Sequence, residues 1–423
     1  MNQLKVPRIS GGKKNKNSKK KSKGKGKNKN GKVLTVGRVI LLTFLSLLFV
    51  FLLSIVIFLY VYEPNIEVDA PDPYDDYDML LPDDEEAATD DEGVKIPPPA
   101  RNRGDSYTFL VIGTDSGLNT DTIMFVMFDV KNSEISILNI PRDTYVNMKK
   151  TTYKISGDIS VTVDGHSGKI NGAYAKGYNA GWRATQDREK AKEAGTKFLQ
   201  ETIKYTFGVP CDRYLSIDLG AFKFLVDKID GVEFDVPFRM KYTDPYQDLY
   251  IDLQEGLQTL NGAKAEQLIR FRHGDPGYPG YGRTIDGVYY PAEDIGRIQT
   301  QQRFIAVLAK KLFNFNKKTM DAMLKTASEY VRTDIILSDA GWFVTKAMSV
   351  KFENMRTHTV PGDWIGSVSR YEAYSDETMQ IINKYYNPYN EDIPKSRVNI
   401  YDADVGTKYP VDIDGVTMDG LVK

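Results

Sequence analysis

The apolar positions of this chain fall into two regimes. From Val39 to Tyr62 the stretch VILLTFLSLLFVFLLSIVIFLYVY carries no charge at all. A bilayer core needs about 20 such residues, so the stretch predicts a transmembrane helix with Tyr60 and Tyr62 at the outer interface. It exceeds the ~7–15 residues of a signal-peptide core, and no small-x-small site follows it. From Tyr107 the pattern breaks into short dense runs. YTFLVIG (Tyr107–Gly113), TIMFVMFDV (Thr122–Val130) and ISILNI (Ile135–Ile140) predict strands joined by the turns TDSGLNTD and KNSE. YLSID (Tyr214–Asp218), VEFDV (Val232–Val236), Leu249–Leu253 and Met355–Val360 predict four more.

Helical periods alternate with these runs. Lys169–Gly177 opens one helix, and a charged helix runs from about Asp187 to Thr206. Phe222, Leu225, Val226 and Ile229 mark an amphipathic helix, and Asn261 caps another that ends near Arg270-Phe271-Arg272. Met320–Tyr330 and Asp334–Met348 also read as helices. Gly274–Gly282, dense in Gly, Pro and Tyr, reads as a loop over a pocket. The alternation predicts an α/β or α+β sandwich without internal repeats.

One helix, Asp294–Leu312, organises the rest. Ile295, Ile298, Ile305, Leu308 and Leu312 recur at helical spacing and form its apolar face. Asp294, Arg297 and Gln301 stand at i, i+3 and i+7 and form a polar stripe able to line a pocket.

Charge then divides the 423 residues into segments. The formal net charge is only −1, yet residues 1–38 hold Lys, Arg, Gly, Asn and Ser with no acid. They are predicted to be a disordered tail. Positive charge on this side of the span places the tail in the cytoplasm and the rest of the chain outside the cell membrane. The tail then lies against anionic headgroups, and no nucleic-acid partner is needed to explain it. Residues 63–104 are acidic and end in Pro97-Pro98-Pro99, the composition of an extended tether. The folded domain is expected over 105–386, followed by a weakly specified extension at 387–423. Cys211 is the one cysteine, which excludes an internal disulfide, and with three histidines it argues against zinc. There is no Gly-x-x-x-x-Gly-Lys loop and no nucleophile elbow.

The remaining chemistry is carboxylates and cations. Asp115 ends the first strand and Asp121 begins the second, so both could reach one rim of the sheet. Two close carboxylates suit a hard divalent cation such as Mg²⁺, with Mn²⁺ as a substitute. Arg142 follows a strand and a proline, Lys169 opens a helix, Arg270 and Arg272 form R-F-R at a helix end, and Arg297 comes from the organising helix. Guanidinium forks match phosphate oxygens, so such a set could grip a diphosphate. Residues two apart do not share a helix face, so Arg270 and Arg272 meet at one site only if the helix frays there. His273 beside R-F-R reads as a loop histidine.

In order along the chain, LVIGTDS with NTDTIMF, NIPRDTYV, KINGAYAKG, DRYLSIDLGAFKFLVDKIDGVEFDVP, LQEGLQTLNGAKAEQLIRFR and DIGRIQTQQRF resemble the LytR-CpsA-Psr family over roughly Tyr107 to Leu312. The resemblance implies an α/β domain with a central mixed sheet flanked by helices, a hydrophobic cavity for a polyprenyl chain, and one preceding transmembrane helix. It implies transfer of a glycopolymer of the teichoic acid or capsular type from a polyprenyl diphosphate carrier to peptidoglycan in a Gram-positive envelope. The positions that match are Asp115 and Asp121 for the metal, and Arg142, Lys169, Arg270, Arg272 and Arg297 for the diphosphate. Asp294 and Gln301 match polar positions of the last motif, and Asp143 or Asp294 is the expected general base. The chain departs from the family pattern where arginine is usual: Gly117, Asn119 and Thr300 stand there instead. Arg283 is the candidate replacement for one of them. A polyprenyl-diphosphate-glycan hydrolase and a non-catalytic scaffold that binds lipid-linked glycan are the competing functions.

Overall fold

The computed structural model describes residues 106–422 apart from 115–117, 119, 286–287, 292, 314–329 and 404–407. The basic tail, the predicted transmembrane helix, the tether, Asp115, Gly117, Asn119 and all but Tyr330 of the predicted 320–330 helix lie outside the described residues. Among the described residues no helix is long and apolar enough to cross a membrane.

Seven strands form the central sheet. In chain order they are β1 (Ser106–Thr114), β2 (Thr120–Asp129), β3 (Glu134–Asn139), β4 (Arg213–Asp218), β5 (Arg332–Thr333), β6 (Met355–Thr359) and β7 (Val416–Thr417). Their spatial order is β5-β4-β1-β2-β3-β6-β7. The β1–β4 and β3–β6 pairs are parallel and the others antiparallel, so the sheet is mixed. Successive strand residues point to opposite faces, and β1 is apolar on both. Leu110 and Ile112 pack with Phe125, Leu138 and Phe198 in one layer. Tyr107 and Phe109 pack with Phe128, Trp342 and Met355 in the other. A strand covered on both faces reads as a continuous apolar run, as YTFLVIG does.

Among the described residues eight helices accompany the sheet: α1 (Asn171–Thr185), α2 (Arg188–Phe207), α3 (Leu219–Lys228), α4 (Gly262–Arg270), α5 (Glu293–Phe313), α6 (Leu337–Ala347), α7 (Ser375–Tyr385) and α8 (Met418–Leu421). Asp187 caps α2 through bonds from the amides of Glu189 and Lys190 at 2.8 and 3.1 Å, and Asn261 caps α4 from Lys264 at 3.0 Å. A third core lies away from the sheet, where Phe234, Phe238, Leu253 and Phe271 enclose Phe304 of α5. Phe304, fully buried, is missing from the apolar stripe read in the sequence.

Two expectations need correction. Lys169 does not open a helix; it ends the short strand His166–Lys169, paired residue for residue with Tyr145–Met148, and α1 begins at Asn171. Gly274–Gly282 does not cover the main apolar cavity, because none of its described residues lines it. Instead the Tyr281 ring packs edge-on against Phe238 and Phe271 at 5.4 and 5.5 Å, ahead of the small hairpin Arg283–Ile285/Val288–Tyr290.

His358 of β6 is 4% exposed and its Nδ1 lies 2.7 Å from the Tyr386 hydroxyl. Burial, with Arg356 adding to it and Asp412 opposing, pushes its pKa down to about 4. The unfolded chain therefore takes up this proton first, near pH 6.5, and the native state loses stability as pH falls from about 6.5 to about 4. The loss should approach ~3 kcal/mol. Thermal unfolding between pH 4 and 8 should show that slope, and His358→Gln should flatten it.

Candidate functional site

The Pro141-Arg142-Asp143 turn leaves β3 and is pinned on three sides. The Thr144 amide donates to the Pro141 carbonyl at 2.9 Å, the Asn171 amide to Arg142 at 3.1 Å, and the Tyr371 amide to Asp143 at 2.9 Å. The Arg142 side chain, so placed, pairs with Asp121 at the start of β2. Its Nε also lies 3.8 Å from Asp143 and 3.9 Å from Asp294. The first turns of α5 bring the second cation. Arg297 contacts Asp294 at 2.5 Å and donates to the Asp121 carbonyl at 3.0 Å. Lys169 reaches Asp143 at 3.1 Å. Three cations and three carboxylates thus interlock at one end of the sheet.

The two arginines respond differently. Burial weakens the charge of Arg142, but Asp121, Asp294 and Asp143 outweigh it and its pKa lies above the ordinary value. For Arg297 burial dominates over the pull of Asp294, and Arg142 and Arg272 add repulsion, so its pKa lies below the ordinary value. An anion entering the cluster relieves that repulsion.

Beside the cluster lies a cavity of about 200 Å³. Val111, Met124, Phe222, Ile269, Phe304 and Leu308 form its apolar part, and Asp121, Arg270, Arg297 and Gln301 its polar rim. Gln301 is fixed by a 2.9 Å bond from Nε2 to the Ile269 carbonyl. The helix α4 stops at Arg270, and Phe271 takes an extended conformation (φ −63°, ψ 130°) that sends its ring into the core. With the helix ended there, Arg270 lines the cavity, whereas Arg272 is not among its lining residues and bears on the site only through a weak repulsion of Arg297. Arg270 is held by Glu266 at 3.1 Å, which Lys223 also contacts at 2.9 Å. Glu266 went unnoticed in the sequence, though its i,i+4 spacing to Arg270 signals it. His273 packs edge-on against Tyr242 at 4.5 Å, consistent with a loop histidine.

One departure, and the candidate replacement, now have a local account. Thr300 is fully buried and accepts a 2.9 Å hydrogen bond from the Tyr281 hydroxyl, so a tyrosine from the Gly274–Gly282 loop fills space beside α5. Arg283 lies 5.8 Å over the Phe238 ring and is not among the residues lining the cavity, so it does not replace a missing arginine at the rim. The approach of Tyr281 to α5 depends on Gly296. A Cβ there would come within 2.1 Å of the Pro291 carbonyl and 2.5 Å of the Tyr281 ring. Gly296→Ala gains about 1 kcal/mol of helix propensity, but the clash is with backbone. A net loss of about 1–2 kcal/mol is expected in denaturant unfolding.

A sequence model of the LytR_cpsA_psr family matches residues 81–387. The cell wall biosynthesis protein LcpA of Corynebacterium glutamicum is 26% identical over 281 residues, 63% of this chain and 48% of its own length. The polyisoprenyl-teichoic acid–peptidoglycan teichoic acid transferase TagV of Bacillus subtilis is 27% identical over 222 residues, 52% of this chain and 46% of its own. The chain therefore spans about half the length of these relatives. Protein gbs0355 of Streptococcus agalactiae, a crystal structure, superposes with a TM-score of 0.53 at 17% identity over 70% of this chain and 93% of that one, which shows a shared fold.

Proposed function

The chain belongs to the LytR_cpsA_psr family, and from that premise we propose a phosphotransferase that moves a glycopolymer from a polyprenyl diphosphate carrier to peptidoglycan. We place it on the outer face of the cell membrane, anchored by the predicted span at residues 39–62. The observation that carries the reading is the juxtaposition of an apolar cavity with a cluster of cations that reaches its rim through the buried Arg297. That pairing suits an amphiphile with an apolar chain and a polyanionic head. At about 200 Å³ the cavity is smaller than ligand clefts of roughly 300–1,000 Å³, so the helices α3 and α5 would part to admit the chain.

In this mechanism Arg142 and Arg297 turn from their carboxylates to the diphosphate, with Arg270 and Arg272 beside them and Lys169 at the outer edge. A peptidoglycan hydroxyl attacks the phosphorus that bears the sugar. The bond from that phosphorus to the bridging oxygen breaks, and polyprenyl phosphate leaves with the electron pair. Asp143, which faces Lys169, takes the hydroxyl proton. The cations stabilise charge as it develops, and their preorganisation is the main catalytic contribution.

Mg²⁺ belongs to the same proposal. Among the described residues no three or more His, Cys, Asp or Glu side chains form a metal cage. Mg²⁺ commonly takes one or two carboxylates and fills its other positions with phosphate oxygens and water. The Asp121 side chain, one-third exposed at the cavity rim, fits that donor set, and Asp115 would be the second ligand. The ion would supply neutralisation of the diphosphate.

The test uses the full chain in detergent with a polyprenyl-diphosphate disaccharide, peptidoglycan oligomers and Mg²⁺. Polyprenyl phosphate release together with a coupled glycan, detected by mass spectrometry, is the expected result. Release with free glycan phosphate would make the protein a hydrolase. Binding without turnover for any acceptor would make it a scaffold.

A further inference from the structure

We propose that Trp364 and Lys169 form a stacking subsite for a sugar ring next to the arginine cluster. The proposal leans on the transferase reading only for which glycan the ring belongs to. Trp364 is 51% exposed, whereas Trp342 is 7% exposed. What sets this aromatic apart is a built support beneath it and the Lys169 ammonium over its ring, a combination that offers a stacking face with a polar edge. The support is the hairpin Gly362–Ile365/Arg370–Ala373, in which Trp364 pairs with Tyr371. Tyr371 bonds through its amide to the Asp143 carbonyl and through its hydroxyl to the Val360 carbonyl, both at 2.9 Å. The base of the platform is thus tied to the turn that presents Arg142 and Asp143.

The hairpin is also clamped from its other strand. The Arg370 guanidinium lies 3.8 Å from the Tyr145 ring centre and 4.8 Å from that of Tyr401. Lys169 links platform to site. Its ammonium stands 5.5 Å from the Trp364 ring centre and 3.1 Å from the Asp143 carboxylate. A pyranose presents an apolar C–H face and a polar rim of hydroxyls. Stacked on Trp364, it would find Lys169 as a donor and Asp143 as an acceptor, and a ring hydroxyl would be directed toward the arginines. An indole with a cation beside it offers that combination of apolar face and polar edge.

The probe is the β-1,4-linked tetramer of N-acetylglucosamine, added to the full chain in detergent and followed by tryptophan emission and calorimetry. The wild type should bind with a change in emission. Trp364→Ala should weaken binding roughly tenfold, as loss of one aromatic contact implies, and Trp364→Phe should recover most of it. Affinity for polyprenyl phosphate should stay the same in all three. In coupling assays Trp364→Ala should raise KM with kcat unchanged. A rise confined to the acceptor, or to the lipid-linked donor, tells whose ring is bound.

Equal tetramer affinity in wild type and Trp364→Ala overturns the proposal, as does a wild type that binds no tetramer. So does loss in Trp364→Ala of binding to phosphatidylglycerol vesicles alone, which would make the indole a membrane contact. Tetramer binding that depends on Trp364 in a chain without turnover keeps the subsite and removes the transferase reading. Unchanged KM values in an active Trp364→Ala do the reverse.

Discussion

Arg142→Ala is expected to lower coupled turnover by roughly 10²–10³-fold, the usual effect of removing one preorganised donor at a developing charge. The residue is rigid at its backbone and surrounded by three carboxylates in the absence of substrate. In the proposed mechanism the guanidinium turns from these carboxylates to the diphosphate on binding, and the pinned backbone keeps that movement within the side chain, so little reorganisation is left for the reactive step. The cavity wall is apolar and distinct from Arg142, so lipid affinity should fall far less than rate. Arg142→Lys keeps the charge and loses the fork, and an intermediate rate is expected. Single-turnover release of polyprenyl phosphate measures all three. An Arg142→Ala protein within about threefold of wild type, well inside the effect expected of such a donor, would remove this arginine from the mechanism.

Arg297→Ala should act mainly on stability. The residue is 3% exposed and its partner Asp294 is 8% exposed. Removing one member of a buried pair typically costs about 3–5 kcal/mol, because the other charge stays behind. Arg142 remains 3.9 Å from Asp294, so the low end, about 3 kcal/mol, is expected. Replacing both partners, as in Arg297→Met with Asp294→Leu, should restore much of that loss while abolishing activity. Urea unfolding of the two single variants and the double variant gives the coupling directly. A loss under about 1 kcal/mol for Arg297→Ala would place the pair among the weak surface bridges.

How legible all this was differs by element. β1, β2 and β3 are dense runs closed by turns, and their bounds agree with the sequence reading to within two residues. The polar stripe of α5 was readable because Asp294, Arg297 and Gln301 keep helical spacing whatever surrounds them. The apolar side was only half readable: Ile305 and Leu308 line the cavity, and so does Phe304, which stands outside the stripe read from the spacing and also packs into the third core. Lys169 was misassigned because a four-residue strand next to a helix has no period of its own. Its pairing with Tyr145 is a long-range choice. The Trp364 hairpin is equally short, and its importance comes from contacts with a turn over two hundred residues earlier in the chain. The role of Thr300 was unreadable, since it depends on where the Tyr281 ring lands.

The closing strand has a consequence for how the protein must be made. β7 follows β6 only after a long stretch of intervening chain, yet it pairs with Arg356 and Thr357 of β6, and Met418 just after it is 1% exposed. Gly415, at φ +65°, lets the chain turn in against His358, where a Cβ would come within 2.5 Å of the imidazole. Synthesis proceeds from the N-terminus, so β6 remains an open edge until Val416 and Thr417 have emerged. An open edge is a template for another chain. A recombinant fragment cut at residue 387, where the family match stops, would keep that edge permanently and should self-associate. The vulnerable interval in this protein's life is therefore the one between emergence of β6 and emergence of β7.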